Sequence, residues 1–258
     1  MTTLITGAST GIGLEIARRL AQRGTALVIT ARSEATLHQV ATELRRLGSP
    51  DVIVLPADLG SRAGTEALLE QVAARSLVIE TLVNNAGFGA VGTFVELSEE
   101  EQLEMVQLNV MSLVHLTRRL LPGMVARGRG RVMNVASVAG FQPGPWMAIY
   151  YATKAFVVSF SEAIGRELRG TGVTVTTFCP GPTATPFVER ARMGSIMLLK
   201  MGNTMSAGEV ADAAVRRLDR GGLVVPGLMN KLLIQSLRIS PRAMALWLTA
   251  WLNRGRAA

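Results

Sequence analysis

The sequence predicts an α/β protein built on a doubly wound parallel β-sheet. Two observations support this class: short apolar runs rich in β-branched residues alternate with longer amphipathic stretches, and a glycine-rich turn follows the first apolar run. Seven strands are predicted, at residues 2–6, 26–30, 52–55, 81–83, 131–135, 173–177 and 223–225. Helices are predicted between them, at residues 11–23, 34–47, 62–74, 99–121, 148–169 and 207–220.

Two of the predicted helices begin with a capping signal of their own. Ser98 is followed three residues later by Glu101, and in the same way Ser206 is followed by Glu209. In this pattern the hydroxyl and the carboxylate satisfy the free amides of a helix N-terminus reciprocally. The acidic residues around Ser98 therefore have a structural explanation, since negative charge stabilises a helix N-terminus, and we assign them no catalytic role.

Composition indicates a single domain with a large core. The chain has 258 residues, of which 48% are hydrophobic and 18% are charged, so disorder is excluded as its main state. The single cysteine, Cys179, cannot form an internal disulfide, and a thiolate metal site would need more ligands. We predict no metal site.

Neither a secretory signal nor a transmembrane helix is expected. The first residues lack the basic and apolar segments of a signal peptide. The uncharged run at residues 132–153 is long enough to span a bilayer, but it contains Asn134, Pro143 and Pro145, which a spanning helix would resist. We therefore expect a cytoplasmic protein.

The net charge of +8 is concentrated in the C-terminal part of the chain. Residues 1–185 carry 16 basic and 15 acidic groups, whereas residues 186–258 carry 11 and 4. From residue 221 onward there are five basic residues and no acidic one. This excess suits an anionic surface or an anionic substrate, although solvated surface charge is an equally good interpretation. No nucleic-acid partner is expected.

The first predicted strand runs into Gly7, Gly11 and Gly13 at the start of the first predicted helix. Glycines at such a position let the chain turn sharply, bring backbone amides close to a pyrophosphate and aim the helix N-terminus at its negative charge. Glycine-rich turns also occur without ligands. The position of this turn between a strand and a helix nevertheless favours a nucleotide.

The end of the second predicted strand bears on which nucleotide is bound. An acidic residue there accepts hydrogen bonds from the adenosine ribose of NAD and repels the 2′-phosphate of NADP. This chain has Thr30, Ala31 and Arg32 instead, and a guanidinium binds phosphate through charge-assisted hydrogen bonds. We therefore predict NADP(H) as the preferred cofactor, with NAD(H) as the second choice. A solvated Arg32 is the alternative without a ligand.

Tyr150 and Lys154 are four residues apart, so they share one face of a predicted helix. A phenol with a reference pKa of about 10 is a poor acid or base at neutral pH. We predict that the Lys154 ammonium lowers the pKa of Tyr150, which makes it a usable proton donor to a carbonyl or acceptor from an alcohol. Tyr151 lies on a different face, and we interpret it as packing or as a pocket wall.

Further motifs make residues 1 to about 225 resemble the short-chain dehydrogenase/reductase family. The matching segments are Thr6-Gly7-Ala8-Ser9-Thr10-Gly11-Ile12-Gly13, Asp58-Leu59, Asn84-Asn85-Ala86-Gly87 and Pro180-Gly181-Pro182-Thr183-Ala184-Thr185. The residues similar to the family's catalytic tetrad are Asn109, Ser137, Tyr150 and Lys154. Tyr150 follows Ser137 by thirteen residues, as it does in the family.

The resemblance implies a Rossmann-type fold, a homo-oligomer and a role for each member of the tetrad. Ser137 would hydrogen-bond the substrate oxygen, and Tyr150 would transfer the proton. Lys154 would tune Tyr150 and hold the nicotinamide ribose, while Asn109 would position a water that links Lys154 to solvent. The implied cofactor-binding residues are Gly7, Ser9, Thr10, Gly11, Ile12, Gly13, Arg32, Asp58, Leu59, Asn85, Ala86, Gly87, Tyr150, Lys154, Pro180, Gly181, Thr183 and Thr185.

Residues 1–225 then form the nucleotide-binding domain, in which the family places a substrate lid at residues 186–205. Methionines recur every four residues there, at Met193, Met197, Met201 and Met205. Such a stripe is more often core packing, but on a lid it would give a flexible apolar wall. We therefore expect an apolar small-molecule or acyl carbonyl substrate.

Residues 226–258 form a predicted C-terminal amphipathic helical extension, which Pro241 divides. Its second part repeats large apolar residues at helical spacing, namely Met244, Trp247, Leu248, Trp251 and Leu252. An apolar stripe in an acid-free basic segment suits peripheral contact of residues 242–258 with the inner face of a membrane. Packing over the substrate pocket or against a partner subunit explains the same pattern, and the sequence leaves both interpretations open.

These features predict an NADP-dependent oxidoreductase. It would interconvert a ketone or 3-oxoacyl-type carbonyl and a secondary alcohol by hydride transfer, with Tyr150 as proton donor or acceptor. The alternative is a non-enzymatic NADP-sensing or membrane-surface scaffold protein on the same fold. A scaffold is expected to have lost part of the tetrad, whereas all four residues are present in this chain.

Overall fold

The computed structural model describes residues 2–191 and 204–254. Three of the predicted lid methionines, Met193, Met197 and Met201, lie outside the described residues. The strands are β1 (Thr2–Thr6), β2 (Ala26–Thr30), β3 (Val52–Val54), β4 (Thr81–Asn84), β5 (Gly130–Val135), β6 (Val173–Phe178), β7 (Thr183–Ala184), β8 (Met205–Ser206) and β9 (Gly222–Val224). The ends of the seven predicted strands agree with these bounds to within one residue.

Ten α-helices connect or follow these strands within the described ranges. They are α1 (Gly11–Gln22), α2 (Glu34–Arg46), α3 (Arg62–Ala74), α4 (Glu99–Val106), α5 (Leu113–Ala126), α6 (Ala148–Glu167), α7 (Phe187–Arg190), α8 (Ala207–Arg217), α9 (Leu228–Ile239) and α10 (Arg242–Asn253). Both predicted capping pairs are present: the Ser98 hydroxyl accepts from the Glu101 amide, and Ser206 and Glu209 form a complete capping box.

Seven strands form one parallel sheet in the order β3-β2-β1-β4-β5-β6-β9. The chain moves outward from β1 to β3 and then returns to the other side of β1 with β4. The loops that leave β1 and β4 therefore diverge, and this reversal opens a crevice at the carboxyl ends of the strands. The predicted Rossmann-type doubly wound fold is confirmed. A separate short pair joins β7 to β8.

The core consists of two apolar layers, one on each face of the sheet. Successive side chains of β1 point to opposite faces, so that Ile5 packs in one layer and Leu4 in the other. The first layer is covered by α1, α2 and α8, and the second by α3 and α5. Each fully buried leucine or isoleucine contributes about 1.5–3 kcal/mol to the free energy of unfolding.

The single helix predicted at residues 99–121 differs from the structure in two ways. It contains a π-helical turn at Gln107–Ser112, and it continues through Pro122 to Ala126. A proline inside a helix cannot donate the usual backbone hydrogen bond. Met124, in the turn after the proline, is fully buried in the core, and this burial offsets the missing bond.

Two helices, α9 and α10, lie on either side of Pro241. α10 packs on the rest of the protein through its small and polar residues, Ala245, Thr249 and Asn253, which are buried. Most of its large apolar residues face outward instead. The part of the chain that the structure describes contains no helix with the length and hydropathy needed to span a bilayer.

Candidate active site

A cavity of about 740 Å³ lies at the carboxyl ends of the parallel strands. Its wall includes the residues that directly follow β1, β2, β4, β5 and β6, together with parts of α6, α9 and α10. We call it the main cavity. Its position at the point where the strand order reverses is the usual ligand position in a doubly wound sheet.

The turn after β1 is shaped by close backbone approach. Gly7 has a φ of +64°, a left-handed conformation that favours glycine. A Cβ atom on Gly13 would collide with the carbonyl oxygen of Gly7 and with the side-chain amide of Asn85. These two positions therefore require glycine for the turn itself, whether or not a ligand is bound.

The Asn85 side chain holds the turn against β4. Its Nδ2 atom donates to the carbonyl oxygens of Thr6 at 2.9 Å and of Gly7 at 3.2 Å. The Thr6 hydroxyl in turn accepts from the amides of Asn85 and Ala86, both at 2.9 Å. The sequence predicts Asn85 as a cofactor contact, and in the structure its side-chain amide is engaged with the turn.

The N-terminus of α1 is suited to an anionic group. Thr10 occupies the N-cap position, but its side chain makes no capping hydrogen bond, and the first turn contains no acidic residue. Thr10, Gly11 and Ile12 all line the main cavity. Free amides and the positive end of the helix dipole therefore face the cavity, which fits the pyrophosphate of a dinucleotide.

Two arginines lie at the end of the main cavity nearest β2. Arg32 is exposed, and no described residue forms an ion pair with it. Arg190, at the end of α7, lies over the Phe88 ring at 4.5 Å from its centroid. Burial and repulsion from Arg32 both lower the pKa of Arg190. Both guanidinium groups line the main cavity, and Arg190 Nη2 also lies 4.0 Å from Glu104 Oε1. Sequence reasoning missed Arg190.

Asp58 and Leu59 line the cavity on the same side. One carboxylate oxygen of Asp58 accepts from the Gly60 amide at 3.0 Å, which fixes the side chain. Leu59 is buried in the core. The resemblance implies that these residues contact the cofactor, and the structure places both in the cavity wall.

Tyr150 and Lys154 lie one turn apart on α6 and both line the main cavity. The Tyr150 ring packs against Phe187, with the ring centroids 5.5 Å apart. Lys154 Nζ is 5.9 Å from the Tyr150 ring centroid and donates to the carbonyl oxygen of Val135 at 2.8 Å. The shared helical face predicted from the sequence is confirmed.

The predicted direction of the Tyr150 pKa shift is wrong. Burial raises the pKa of Tyr150 to about 12, while a hydrogen bond with Ser137 acts in the opposite direction. Burial also lowers the pKa of Lys154 to about 8. The prediction fails because it considered only the attraction between the two charges, whereas both groups lose hydration in the cavity wall. Tyr150 is therefore a neutral phenol at neutral pH.

Ser137 follows β5 and caps the 3₁₀ turn Val138–Phe141. Its hydroxyl oxygen accepts from the Ala139 amide at 3.1 Å, which holds the side chain beside the Tyr150 hydroxyl. The Ser137 and Tyr150 side chains, which the resemblance assigns to the substrate oxygen, both line the main cavity. A carbonyl oxygen placed between them would contact two hydroxyl groups.

Asn109 lies in the π-helical turn and is buried. Its side chain accepts from the Phe88 amide at 3.1 Å and donates to the Phe88 carbonyl at 2.9 Å and to the Thr153 hydroxyl at 3.1 Å. Such π-helical turns are frequent at functional sites. Thr153 also donates to the Tyr150 carbonyl at 2.7 Å, so it ties Asn109 to α6, and sequence reasoning missed this residue.

The segment after β6 is fixed by local hydrogen bonds. The Pro180 carbonyl accepts from the Val138 amide at 3.0 Å, and the Thr183 hydroxyl donates to the Gly181 carbonyl at 2.9 Å. Pro180, Gly181, Thr183 and Thr185 all line the main cavity. Asn230, from α9, packs so tightly on Gly181 that a Cβ atom there would collide with it.

Tyr151 is a wall of the main cavity, and its hydroxyl is tied to the C-terminal helix. The hydroxyl donates to Asn253 Oδ1 at 3.2 Å, and Asn253 Nδ2 donates to the Pro145 carbonyl at 3.1 Å. Asn253 is fully buried at the end of α10. Sequence reasoning missed Asn253, since nothing in its local pattern connects it to residues more than 100 positions away.

The arrangement of this cavity agrees with a comparison against known families. A family model described as short chain dehydrogenase matches residues 1–195. The chain belongs to the short-chain dehydrogenase/reductase family. Among its relatives, the ketoacyl reductase HetN of Nostoc sp. is 32% identical over 250 residues, which cover 94% of this chain and 86% of that protein.

Solved structures agree with this assignment. A short-chain dehydrogenase from Sphingobium yanoikuyae in complex with NADPH is 36% identical, with a TM-score of 0.83 over 92% of this chain and 91% of that one. A 3-oxoacyl-[acyl-carrier protein] reductase with bound NAD from Brucella melitensis is 28% identical, with a TM-score of 0.75 over 87% of this chain and 88% of that one. The protein is therefore an oxidoreductase of the carbonyl and alcohol class.

Proposed function

We propose that this protein is an NADPH-dependent reductase that converts an apolar ketone or 3-oxoacyl carbonyl into a secondary alcohol. One observation carries the proposal: Ser137, Tyr150 and Lys154 meet in the same cavity as the uncapped N-terminus of α1. One region of the cavity fits a dinucleotide, and the other holds hydroxyl groups that can bind and protonate an oxygen.

The cofactor would supply the hydride, and the residues of this chain would bind and protonate the substrate oxygen. The hydroxyls of Ser137 and Tyr150, which both line the main cavity, would receive the carbonyl oxygen. With its pKa raised to about 12, Tyr150 carries its proton at neutral pH and would donate it to the developing alkoxide.

Lys154 and Asn109 would act around this proton donor. Lys154, held on the Val135 carbonyl, would stabilise the phenolate that forms on Tyr150 and bind the nicotinamide ribose. A Cβ atom on Gly87 would lie 2.8 Å from Asn109 Oδ1 and 3.7 Å from Lys154 Nζ, so these two polar groups flank one point of the cavity. This proximity supports a water held between Asn109 and Lys154.

The preference for NADP(H) is proposed from the two arginines near β2. Arg32 lies where an NAD-specific site would have a carboxylate, and Arg190 adds a second guanidinium to the cavity lining. A 2′-phosphate would accept charge-assisted hydrogen bonds there and would relieve the repulsion between the two groups. NAD(H) has no 2′-phosphate, so it would neither accept these hydrogen bonds nor relieve the repulsion.

An apolar carbonyl substrate is proposed from the rest of the cavity wall. Its lining contains large apolar side chains, among them Met147, Phe187, Val188, Leu233 and Leu252. The relative HetN is named a ketoacyl reductase. We further propose that residues 1–225 form the nucleotide-binding domain, with a lid at residues 186–205. Residues 226–258 would complete the cavity. The family resemblance also implies a homo-oligomer, which we propose for this protein.

Carbonyl-dependent consumption of NADPH tests the proposed function. Purified protein should oxidise NADPH with apolar ketones and 3-oxoacyl thioesters, and the rate should rise with the apolar bulk of the substrate until the cavity is filled. Polar carbonyl compounds of similar size serve as the control. Absence of turnover with the whole series, in protein that binds NADPH, would contradict the proposal. The non-enzymatic alternative is not favoured, because no member of the tetrad is lost.

A further inference from the structure

The outward side of α10 is almost entirely apolar. Its exposed residues between Arg242 and Arg254 include five large apolar side chains: Met244, Leu246, Trp247, Leu248 and Trp251. Trp247 exposes 68% of its surface. The helix has no exposed charged residue between its first residue and Arg254. This helix contacts its own protein mainly through small and polar residues and exposes most of its large apolar residues to solvent, which is the reverse of ordinary amphipathic packing.

The neighbouring helix α9 carries similar outward residues, and it connects them to the main cavity. Leu228, Leu232 and Ile239 are exposed on α9. Met229 exposes 60% of its surface and also lines the main cavity. Leu252, next to the exposed Trp251, lines the cavity as well. The same two helices therefore supply part of the cavity wall and an apolar outer surface beside it.

The charge of this region favours an anionic partner. Residues 226–258 contain five basic residues and no acidic one. Lys231, Arg238, Arg242 and Arg254 are all exposed. Two copies of the chain would meet through a symmetric interface in which the same surface faces itself. Basic residues would then oppose basic residues, which disfavours self-association through this surface.

We propose that α9 and α10 form a docking surface for an anionic lipid bilayer. The apolar side chains would enter the boundary between headgroups and acyl chains, and tryptophan is enriched at that depth. Lysine and arginine would contact the anionic headgroups. No part of the protein needs to span the membrane for this contact.

Because the docking surface borders the main cavity, the substrate would enter from the bilayer. This part of the inference rests on the proposed function and specifies its substrate class: an amphiphilic carbonyl compound that partitions into membranes, such as a long-chain 3-oxoacyl ester. Its chain would pass between Met229 and Leu252, and its carbonyl would reach the Ser137 and Tyr150 hydroxyls.

Vesicle binding tests the docking surface without any need for turnover. The full chain should cosediment with vesicles of phosphatidylglycerol and phosphatidylcholine, and much less with pure phosphatidylcholine. The double substitution Trp247→Gln and Trp251→Gln should lower the partition coefficient at least about ten-fold, because two large apolar side chains no longer enter the bilayer.

A matched control uses exposed apolar residues at the other end of the sheet, where the strands begin. Val78 and Val125 precede β4 and β5, so they lie at the amino ends of the strands, and they expose 52% and 36% of their surfaces. The double substitution Val78→Gln and Val125→Gln should leave vesicle binding unchanged. Lys231→Gln and Arg242→Gln should each weaken binding about five-fold at low salt, and this difference should shrink at high salt.

Kinetics test the entry of substrate from the bilayer. With a long-chain 3-oxo ester dissolved in vesicles, the tryptophan double variant should show a raised KM. With a short water-soluble ketone, its KM and kcat should equal those of the unsubstituted protein. Equal changes in KM with the long-chain ester and with the short ketone would contradict entry from the bilayer.

Two results would overturn the docking surface itself. One is binding to anionic vesicles that the tryptophan substitutions do not weaken. The other is an absence of vesicle binding together with a tryptophan-dependent dimer in sedimentation velocity, which would identify a second copy as the partner. Loss of turnover with every carbonyl compound would instead contradict the proposed function, and it would leave the vesicle result intact.

Discussion

The two halves of the main cavity, which we propose bind the cofactor and the substrate, are built in different ways. The cofactor half, formed by residues 7–13, 32, 58–59 and 85–87, depends mostly on backbone positions and on the Asn85 side chain. The substrate half is formed by Tyr151, Phe187, Met229, Leu252 and their neighbours, which come from distant parts of the chain. Short local motifs therefore specify the cofactor half, whereas the substrate half is assembled only in the completed fold.

Tyr150→Phe should cause the largest effect of any single substitution in the main cavity. Removing the hydroxyl eliminates the proton donor, so kcat should fall about 100- to 10,000-fold. The dissociation constant of NADPH should change little, because the cofactor half is untouched. Steady-state kinetics and fluorescence titration measure the two quantities. Tyr151→Phe is the matched control and should keep most of the turnover, and an active Tyr150→Phe variant would remove Tyr150 from its role.

Gly13→Ala should damage the cofactor half without touching the substrate half. The new methyl group would collide with the Gly7 carbonyl and the Asn85 amide, so the turn must shift. We expect NADPH affinity to fall at least about ten-fold and the free energy of unfolding to fall by about 1–3 kcal/mol.

Gly165→Ala on α6 is the control for this substitution. Its Cβ atom would meet only ordinary contacts, the nearest being Val175 Cβ at 3.5 Å. Alanine is the better helix former, so stability should be unchanged or higher by up to about 1 kcal/mol. Normal NADPH affinity in Gly13→Ala would show that the turn does not need to approach the cofactor closely.

Arg32→Ala should separate the two cofactors. Loss of a charge-assisted hydrogen bond to phosphate costs about 1.5–3 kcal/mol, so the dissociation constant of NADPH should rise about 10- to 100-fold. That of NADH should change much less. Arg62→Ala on α3, which removes an exposed guanidinium paired with Glu66, is the control. Equal losses for the two cofactors would contradict the role given to Arg32.

Of the four substitutions tested in the main cavity and its support, Asn253→Ala should have the smallest effect. It should act on the substrate half. It leaves the Tyr151 hydroxyl and the Pro145 carbonyl without their partner, which should reduce the free energy of unfolding by about 1–3 kcal/mol. KM for the carbonyl should rise a few-fold while NADPH affinity stays the same. In a double-mutant cycle, the losses of unfolding free energy caused by Asn253→Ala and Tyr151→Phe should be non-additive. Strict additivity would show that the two side chains act independently.

The sheet and the cofactor half could be predicted because their signals are local. Each strand is a short apolar run, and the glycine turn lies within one segment between β1 and α1. The shared face of Tyr150 and Lys154 follows from their spacing of one helical turn. The resemblance to the family added Asn109 and Ser137, whose positions no periodicity indicates.

The substrate half could not be predicted to the same degree. Asn253 contacts Tyr151 across 102 residues, and Arg190 is brought close to Arg32 only by the fold. The direction of the Tyr150 pKa shift depends on burial, which a helical wheel does not show. The sequence left open which way the apolar stripe of α10 faces; in the structure the side toward the protein carries Ala245, Thr249 and Asn253.

The proposed cofactor half is decided by the dissociation constants of NADPH and NADH, measured side by side for the unsubstituted protein at one ionic strength. Tight NADPH and clearly weaker NADH are expected, because the α1 N-terminus would bind the pyrophosphate of either cofactor, whereas only NADPH brings a 2′-phosphate to the arginines. Equal affinities would contradict the role of the arginines. Binding of neither cofactor would contradict the assignment of this half of the cavity to a dinucleotide.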